Sequence, residues 1–543
     1  MTADWRRRVA SLLVIRASGH PSDGQRRYPR WELPNAELRR LLEQGVGGVI
    51  LLGGSACELR LRTSQLQSWS AMPLLLCADV EEGVGQRFEG ASWLPPPLTL
   101  AALHKREPER ALELAQRYGA CTAREARCLG LNWVLAPVCD VNNNPANPVI
   151  NVRAWGEDPA TAGALAAAFL RGAQAGGVLC CAKHFPGHGD TASDSHLELP
   201  LLNHSRARLE AVELPPFREA IAAGVASVMT AHLLLPALDA TRPATLSPAV
   251  LQQLLRRDLG FDGLVATDAL VMEAISGRYG AGEAAVLALE AGADLVLMPA
   301  DADAAIEAIL AALATGRLSE ERLSESLERR RRALERLPRD PAATISAAAE
   351  GMLGPLANGP QPDDQALALE LLQRSLERQG PRFNPAGTGV NLIRIDTALA
   401  NPFLAADAPA LKRPEEAGLR PCLIEARSPS PWQENPEAPL ALDRLGPGPV
   451  LLQLFVRGNP FRGSAGGGGE PWEAVIRQLQ GCGRLAGLAV YGSPYLWQRL
   501  RPLLDTTLPA AYSPGQMPLA QEVLLHSLGF GVAAGGIPGD FTD

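Results

Sequence analysis

At 543 residues, 46% hydrophobic and 20% charged, the chain has the composition of a globular protein too long for one core, so two or three domains are expected. A net charge of -8 and a pI near 5.7 provide no general attraction to nucleic acid or anionic membrane, and no stretch approaches the ~20 apolar residues of a membrane span. The nine cysteines are irregularly spaced with no CxxC, which disfavours a disulfide scaffold or a cysteine-bound zinc and suggests reduced core residues.

The N-terminal MTADWRRRVASLLVIRAS places a basic triplet before apolar residues, as a signal peptide does. The apolar run breaks too early and no small-residue cleavage site follows, so the segment reads as a first strand and the protein as cytoplasmic. Short apolar runs then alternate with amphipathic stretches: SLLVIRA (11–17), GGVILL (47–52), PLLLCAD (73–79), LNWVLAPV (131–138), VLCCAKH (178–184), ASVMTAH (226–232), GLVATD (263–268) and ADLVLM (293–298). Helices are predicted between them at 36–45, 109–128, 161–177, 247–260 and 281–292, several ending at a glycine. Eight continuous apolar strands, buried on both faces, indicate an N-terminal (β/α)8 TIM barrel over residues 1–337, with a doubly wound open sheet as the alternative. In a barrel the strand-end residues Asp79, Lys183, His184, His232 and Asp268 converge on the C-terminal face, where an active site is expected. The basic run ERRRRALER (328–336) reads as a solvated helix face. Residues 338–364, rich in Pro, Gly and Ala, read as a linker. A smaller C-terminal α/β domain follows over 365–543, with a helix at 365–379 and apolar runs at 390–395, 449–456 and 485–492. GSAGGGGEPW (463–472) lacks the Lys-Ser/Thr of a phosphate loop and reads as a surface loop.

The chemistry concentrates in KHFPGHGDTASDSH (183–196). Proline and glycine between His184 and His188 exclude the helical zinc motif, leaving a loop-borne metal, a proton-transfer site or an ordinary polar loop. For proton transfer, Asp194 two residues before His196 can hold the imidazole in one tautomer and raise its basicity. Only Lys105, Lys183 and Lys412 are lysines among 51 lysines and arginines. Lysine at the strand end beside His184 therefore suggests a compact ammonium serving ligand hydroxyls. Asp268 closes an apolar strand, where a carboxylate must be paired, used, or act as a helix cap. Asp79 has the same cap alternative, and Arg153 that of a surface ion pair.

Together these stretches resemble glycoside hydrolase family 3, specifically its β-N-acetylglucosaminidase branch. The matching segments are GGVILL (47–52), ADVEEGVGQRF (78–88), APVCDVNNNPANPVINVRAWGEDP (136–159), KHFPGHGDTASDSH (183–196), VMTAHLLLPALD (228–239) and LGFDGLVATDALVM (259–272), in the family's order. The resemblance implies Asp268 as nucleophile and His196 as general acid/base, with Asp194 orienting it. It implies that Asp79, Arg87, Arg153, Lys183 and His184 bind the non-reducing sugar. No cofactor and no metal are implied, and the partner is a small carbohydrate, with peptidoglycan fragments as the branch's substrate. Trp155 where Phe is commoner, TDA around the nucleophile and EEG after Asp79 are departures that bear on sugar preference. Alternatives are a β-glucosidase or phosphorylase of the same family, a loop-site metallohydrolase, and a non-catalytic sugar-binding protein. The second domain resembles the family's appended α/β sandwich, implying a structural or substrate-rim role.

Overall fold

The computed structural model describes residues 3–191, 199–338, 359–383, 388–395, 403–425, 430–457 and 470–531. The chain divides into two compact units, Met1–Asn144 with Arg153–Leu367, and Pro145–Val152 with Ala368–Asp543.

All eight expected apolar runs become strands of one parallel sheet: β1 Leu13–Ala17, β2 Gly48–Leu51, β3 Leu75–Ala78, β4 Trp133–Val134, β5 Leu179–Phe185, β6 Ser227–Thr230, β7 Leu264–Ala266 and β8 Val296–Leu297. Neighbours follow chain order, β8 pairs with β1, and a bridge from Ala266 to Leu295 joins the remaining edge, so the sheet is a barrel and not an open sheet. Every residue of these strands is buried, as a sheet covered on both faces requires. One polar relay crosses the strands: Trp133 Nε1 donates to Ser227 Oγ at 2.8 Å, which donates to the Cys180 carbonyl at 2.9 Å. The N-terminal stretch expected to be only a strand begins instead with the helix Ala3–Ala10, which places Val9 and Ala10 in the core before β1.

The helices pack outside the barrel at small-residue contacts. A Cβ on Gly119 would sit 2.1 Å from the Phe169 carbonyl oxygen, and one on Gly172 1.9 Å from that of Gln116, so the helices Pro108–Cys128 and Pro159–Ala175 touch backbone to backbone. The latter helix starts sharply because Asp158 accepts from Thr161 N and Pro159 fills the first turn.

The basic run of the last barrel helix, Glu320–Glu335, is not uniformly solvated. Arg330 is 8% exposed and donates to the Gly47 and Pro73 carbonyls at 2.9 and 2.8 Å, and burial pushes its guanidinium down to about 10. Arg329 turns inward to Asp294, a fully buried carboxylate between β7 and β8 that also takes Arg256 at 2.6 Å, Arg322 at 3.3 Å, Ser326 Oγ at 2.8 Å and Val265 N at 2.9 Å.

The other unit contains a six-stranded sheet with β9 Glu377–Gln379, β10 Gly389–Arg394, β11 Leu419–Ile424, β12 Val450–Val456, β13 Leu485–Gly492 and β14 Ala510–Ser513, in the order β9-β14-β13-β12-β10-β11. All pairs are parallel except β9 with β14. Residues 377–379, expected to be helical, form β9 because the helix Pro362–Ser375 ends earlier. Of the expected surface loop at 463–472, residues 463–469 lie outside the described residues, and Trp472 opens the helix Trp472–Gly481 fully buried in the core. All nine cysteines are free, and Cys57 and Cys482 are exposed instead of lying in the core. Among the described residues no helix is long and apolar enough to cross a membrane.

Removing the Asp294 carboxylate leaves three partly buried guanidinium groups without their common partner. Asp294→Ala is expected to lower the unfolding free energy by about 3–5 kcal/mol in urea titrations; a loss under about 1 kcal/mol would show that the arginines find other acceptors.

Candidate active site

The C-terminal ends of β3, β5, β6 and β7 carry the chemistry. Lys183, in β5, is 1% exposed, and its Nζ lies 2.7 Å from Asp79 Oδ1 and 2.6 Å from Glu81 Oε1. Glu81 in turn holds Arg153 through two bonds, Nε to Oε2 and a terminal nitrogen to Oε1, both 2.8 Å. Burial opposes the Glu81 charge, but Arg153 and Lys183 outweigh it and hold the carboxyl well below its ordinary value. Burial likewise works against the Lys183 and Arg153 charges, and their carboxylate partners raise both. Asp79 is the member that reaches outward, with a side chain 30% exposed. The half-buried Arg87 lies across its base, Nε donating to the Asp79 carbonyl at 3.2 Å. Arg153 is therefore in a buried ion pair, not a surface one, and Lys183 spends two of its three donors on carboxylates, leaving one for a ligand.

His184 is positioned by Asp140, a fully buried carboxylate beyond β4. Asp140 accepts the His184 ring Nδ1 at 2.8 Å, the His184 backbone N–H at 3.2 Å and the His188 backbone N–H at 2.7 Å. Since Asp140 can only accept, the proton sits on Nδ1 and Nε2 is left for other partners. His188 is buried too, its Nδ1 2.8 Å from Thr191 Oγ1, and burial pushes its ring down to about 4, so it is neutral at working pH.

Asp268 stands half-buried just past β7. It is not a helix cap: the next helix, Glu273–Tyr279, starts from Met272, and Asp268 Oδ1 accepts the neighbouring Ala269 N–H at 2.7 Å. A hydroxyl chain fixes its backbone. The Asp268 N–H donates to Thr230 Oγ1 at 3.3 Å, Thr230 Oγ1 lies 2.8 Å from Thr245 Oγ1, Thr245 lies 2.8 Å from His232 Nδ1, and His232 Nε2 lies 3.1 Å from the Ala269 carbonyl. The carbonyl places the proton on Nε2, and Thr245 Oγ1, which also donates to the Ala231 carbonyl at 2.9 Å, ties the chain to the end of β6. The Asp268 charge also acts on the His188 ring, and those of Asp79 and Asp140 on Arg153, so these strand ends share one electrostatic environment.

Of the sequence-predicted site residues, Asp79, Arg87, Arg153, Lys183, His184 and Asp268 are thus brought to this face, while Asp194 and His196 lie outside the described residues. Glu81 and Asp140 escaped the sequence reading. Glu81 carried a signal, since it stands two residues after Asp79. Asp140 follows an apolar strand as Asp79 and Asp268 do. Trp155 is 1% exposed in an aromatic trio, edge-to-face with Tyr118 and tilted against Phe169, ring centroids 5.5 and 5.3 Å from its own, and belongs to the core behind the site.

Glu81→Gln would leave Lys183 and Arg153 buried with one carboxylate fewer, at an expected cost of about 3–5 kcal/mol. Because the folded-state pKa lies below the ordinary 4.5, the wild-type contribution is full above that value and lost as pH falls below it. The Gln variant should accordingly show a shallower acid limb in a stability-versus-pH series, and parallel limbs would remove Glu81 from this role.

Comparison with known proteins fits this arrangement. The chain matches the glycosyl hydrolase family 3 N-terminal domain over residues 6–333 and the bacterial glycosyl hydrolase family 3 C-terminal domain over 383–529. It is 36% identical over 343 residues to beta-hexosaminidase A of Pseudoalteromonas piscicida, covering 57% of this chain and only 57% of that protein's length. It is 38% identical over 271 residues to a beta-hexosaminidase of Thiobacillus denitrificans, covering 49% of this chain and 75% of that one. The family 3 beta-N-acetylglucosaminidase structure from Paenibacillus sp. str. FPU-7 superposes with a TM-score of 0.77 at 30% identity, covering 96% of both chains. A parallel barrel with these strand-end groups, followed by the matching second domain, places this chain in glycosyl hydrolase family 3.

Proposed function

We propose that the chain is a retaining β-N-acetylglucosaminidase that removes terminal, non-reducing β-linked N-acetylglucosamine, acting in the cytoplasm on peptidoglycan-derived fragments. The observation that carries this reading is the half-buried Asp268 at the end of β7, on the same barrel face as outward-reaching Asp79, the Lys183 and Arg153 cations and the His184 ring. The sequence adds Asp194-Ser195-His196, with His196 eight residues after His188, and the names of the similar hexosaminidases support the sugar.

In the first step an Asp268 oxygen attacks the anomeric carbon, the glycosidic C–O bond breaks, and His196 gives its proton to the leaving oxygen, with Asp194 stabilising the imidazolium. In the second, His196 takes a proton from water, the water oxygen bonds to the anomeric carbon, and the bond to Asp268 breaks. Asp79 accepts from sugar hydroxyls, while Lys183, Arg87, Arg153 and His184 bind the remaining hydroxyl and acetamido groups. Residues 1–337 hold all of these groups; of the expected linker 338–364, residues 362–364 instead open the helix Pro362–Ser375, and 365–543 is assigned as a structural or substrate-rim domain.

The reading is tested by comparing p-nitrophenyl N-acetylglucosaminide with the glucoside, with and without chelator. Preference for the acetamido sugar and indifference to chelation are expected; loss of turnover on chelation would favour a metallohydrolase. His196→Ala should lower kcat by about 10²–10⁴-fold. A slow fluorinated N-acetylglucosaminide should label Asp268 in peptide mass analysis. Substrate-assisted attack by the acetamido group predicts no adduct.

Thr245→Val tests the hydroxyl chain that seats the nucleophile. With volume kept and one hydroxyl removed, kcat is expected to fall about tenfold with KM nearly unchanged, as for a small misplacement of the reacting group. An unchanged kcat would make the chain structural only.

A further inference from the structure

A second cluster of ligating side chains lies beyond the sugar-facing groups. Asp190, His204 and Glu213 each offer one ligand atom, all within 4.8 Å of one another. His204 Nε2 is 2.9 Å from Asp190 Oδ2, and Arg208 reaches both Asp190, at 3.4 Å, and Glu213 Oε1, at 3.1 Å. Glu213 is 2% exposed, and its other oxygen, Oε2, is buried with no hydrogen-bond partner. A buried carboxylate oxygen without a donor is destabilising, and its chemistry calls for a cation. Glu213 cannot swing out to water, because a Cβ on Gly187 would lie 2.7 Å from Glu213 Cβ: the loop after β5 packs directly on its stem. Arg208 meets this demand incompletely, for its own Nε is also buried without a partner.

We propose that Asp190, His204 and Glu213 form a three-ligand site for a divalent transition ion, Zn²⁺ by preference, and that Arg208 is the competing cation which leaves when the ion binds. One imidazole and two carboxylates suit zinc and its first-row neighbours and are a poor set for Mg²⁺ or Ca²⁺, which take oxygen alone. Three protein ligands leave a fourth position for water. Arg208, with a side chain 35% exposed, can withdraw into solvent. Sequence reading assigned the histidine-rich loop no metal; the proposed site uses only Asp190 of that loop, with two residues that follow it. The ion would tie the segment leaving β5 to the segment returning through His204. Its three ligands are none of the residues assigned to catalysis or sugar binding, and metal binding is read without turnover, so the site is tested independently of the glycosidase reading.

The test uses the full chain, freed of metal by chelation and dialysis, titrated calorimetrically with Zn²⁺ and followed by visible absorption with Co²⁺. One ion per chain is expected, with a cobalt spectrum of nitrogen and oxygen ligation. His204→Ala and Glu213→Gln should each weaken binding at least about tenfold, whereas Arg208→Met, which removes the competitor, should tighten it by about tenfold. That gain cannot arise from a misfolded chain. Absence of binding in both the wild type and Arg208→Met, or affinities unmoved by the three substitutions, would overturn the proposal. A thiolate band in the cobalt spectrum would do so as well, by assigning the ion to Cys121, Glu125 and Asp364, the other such group among the described residues.

Discussion

The site depends on a constraint of burial: four charges lie in a nearly dry space, and they stay charged only because they are paired. Glu81 is the centre, bridging Lys183 and Arg153 and offsetting the cost of burying both cations. Its two oxygens are taken up by the two cations, so neither can turn to a ligand. Asp79 completes the charge balance with Lys183 but remains partly open. The consequence is a division of labour in which buried ion pairs fix the position of the group that faces outward, Asp79. Binding groups set in this way lose little side-chain freedom when a ligand arrives.

The two histidines of the loop after β5 follow the same physics to different ends. His184 has a carboxylate, Asp140, which accepts both its ring and its backbone, so its orientation is set from behind. His188 has a threonine hydroxyl instead, and burial depresses its affinity for a proton. Two imidazoles four residues apart in sequence thus differ because one is placed against a charge and the other against a neutral group. Asp140 also takes the His188 backbone N–H, so a single carboxylate shapes the first half of the loop.

Much of this was legible in the chain itself. Eight apolar runs were enough for the barrel, because strands buried on both faces leave an uninterrupted hydrophobic record. The same criterion explains what was missed. β11 contains Pro421 and exposed positions, as an edge strand with one free side does, and β14 is only four residues long, so neither stands out as an apolar run. The helix Ala3–Ala10 was hidden by its three arginines. At the site, residues at strand ends were readable one by one, but pairing between strands was not. Arg153 looked like a surface cation because Glu81, its partner 72 positions away, is brought close only by the fold. Arg329 and Arg330 misled in the same way, since a helix face is solvated or buried according to what the barrel places beneath it.

Charge placement at the two ends of the barrel shows how one fold separates stability from chemistry. At the Asp294 end one buried carboxylate meets three guanidinium groups, its oxygens also taking Ser326 and Val265, so nothing there is left to face a ligand. At the other end cations and carboxylates are matched, two against two around Glu81, and the additional carboxylate of Asp268 stands half-exposed, its backbone N–H held by Thr230. A nucleophile locked into an ion pair would be stabilised in its ground state and slow to attack. The chain through Thr230, Thr245 and His232 seats Asp268 by its backbone N–H and so sets the residue's position without drawing on the carboxylate, the group that the displacement chemistry proposed for this site would use.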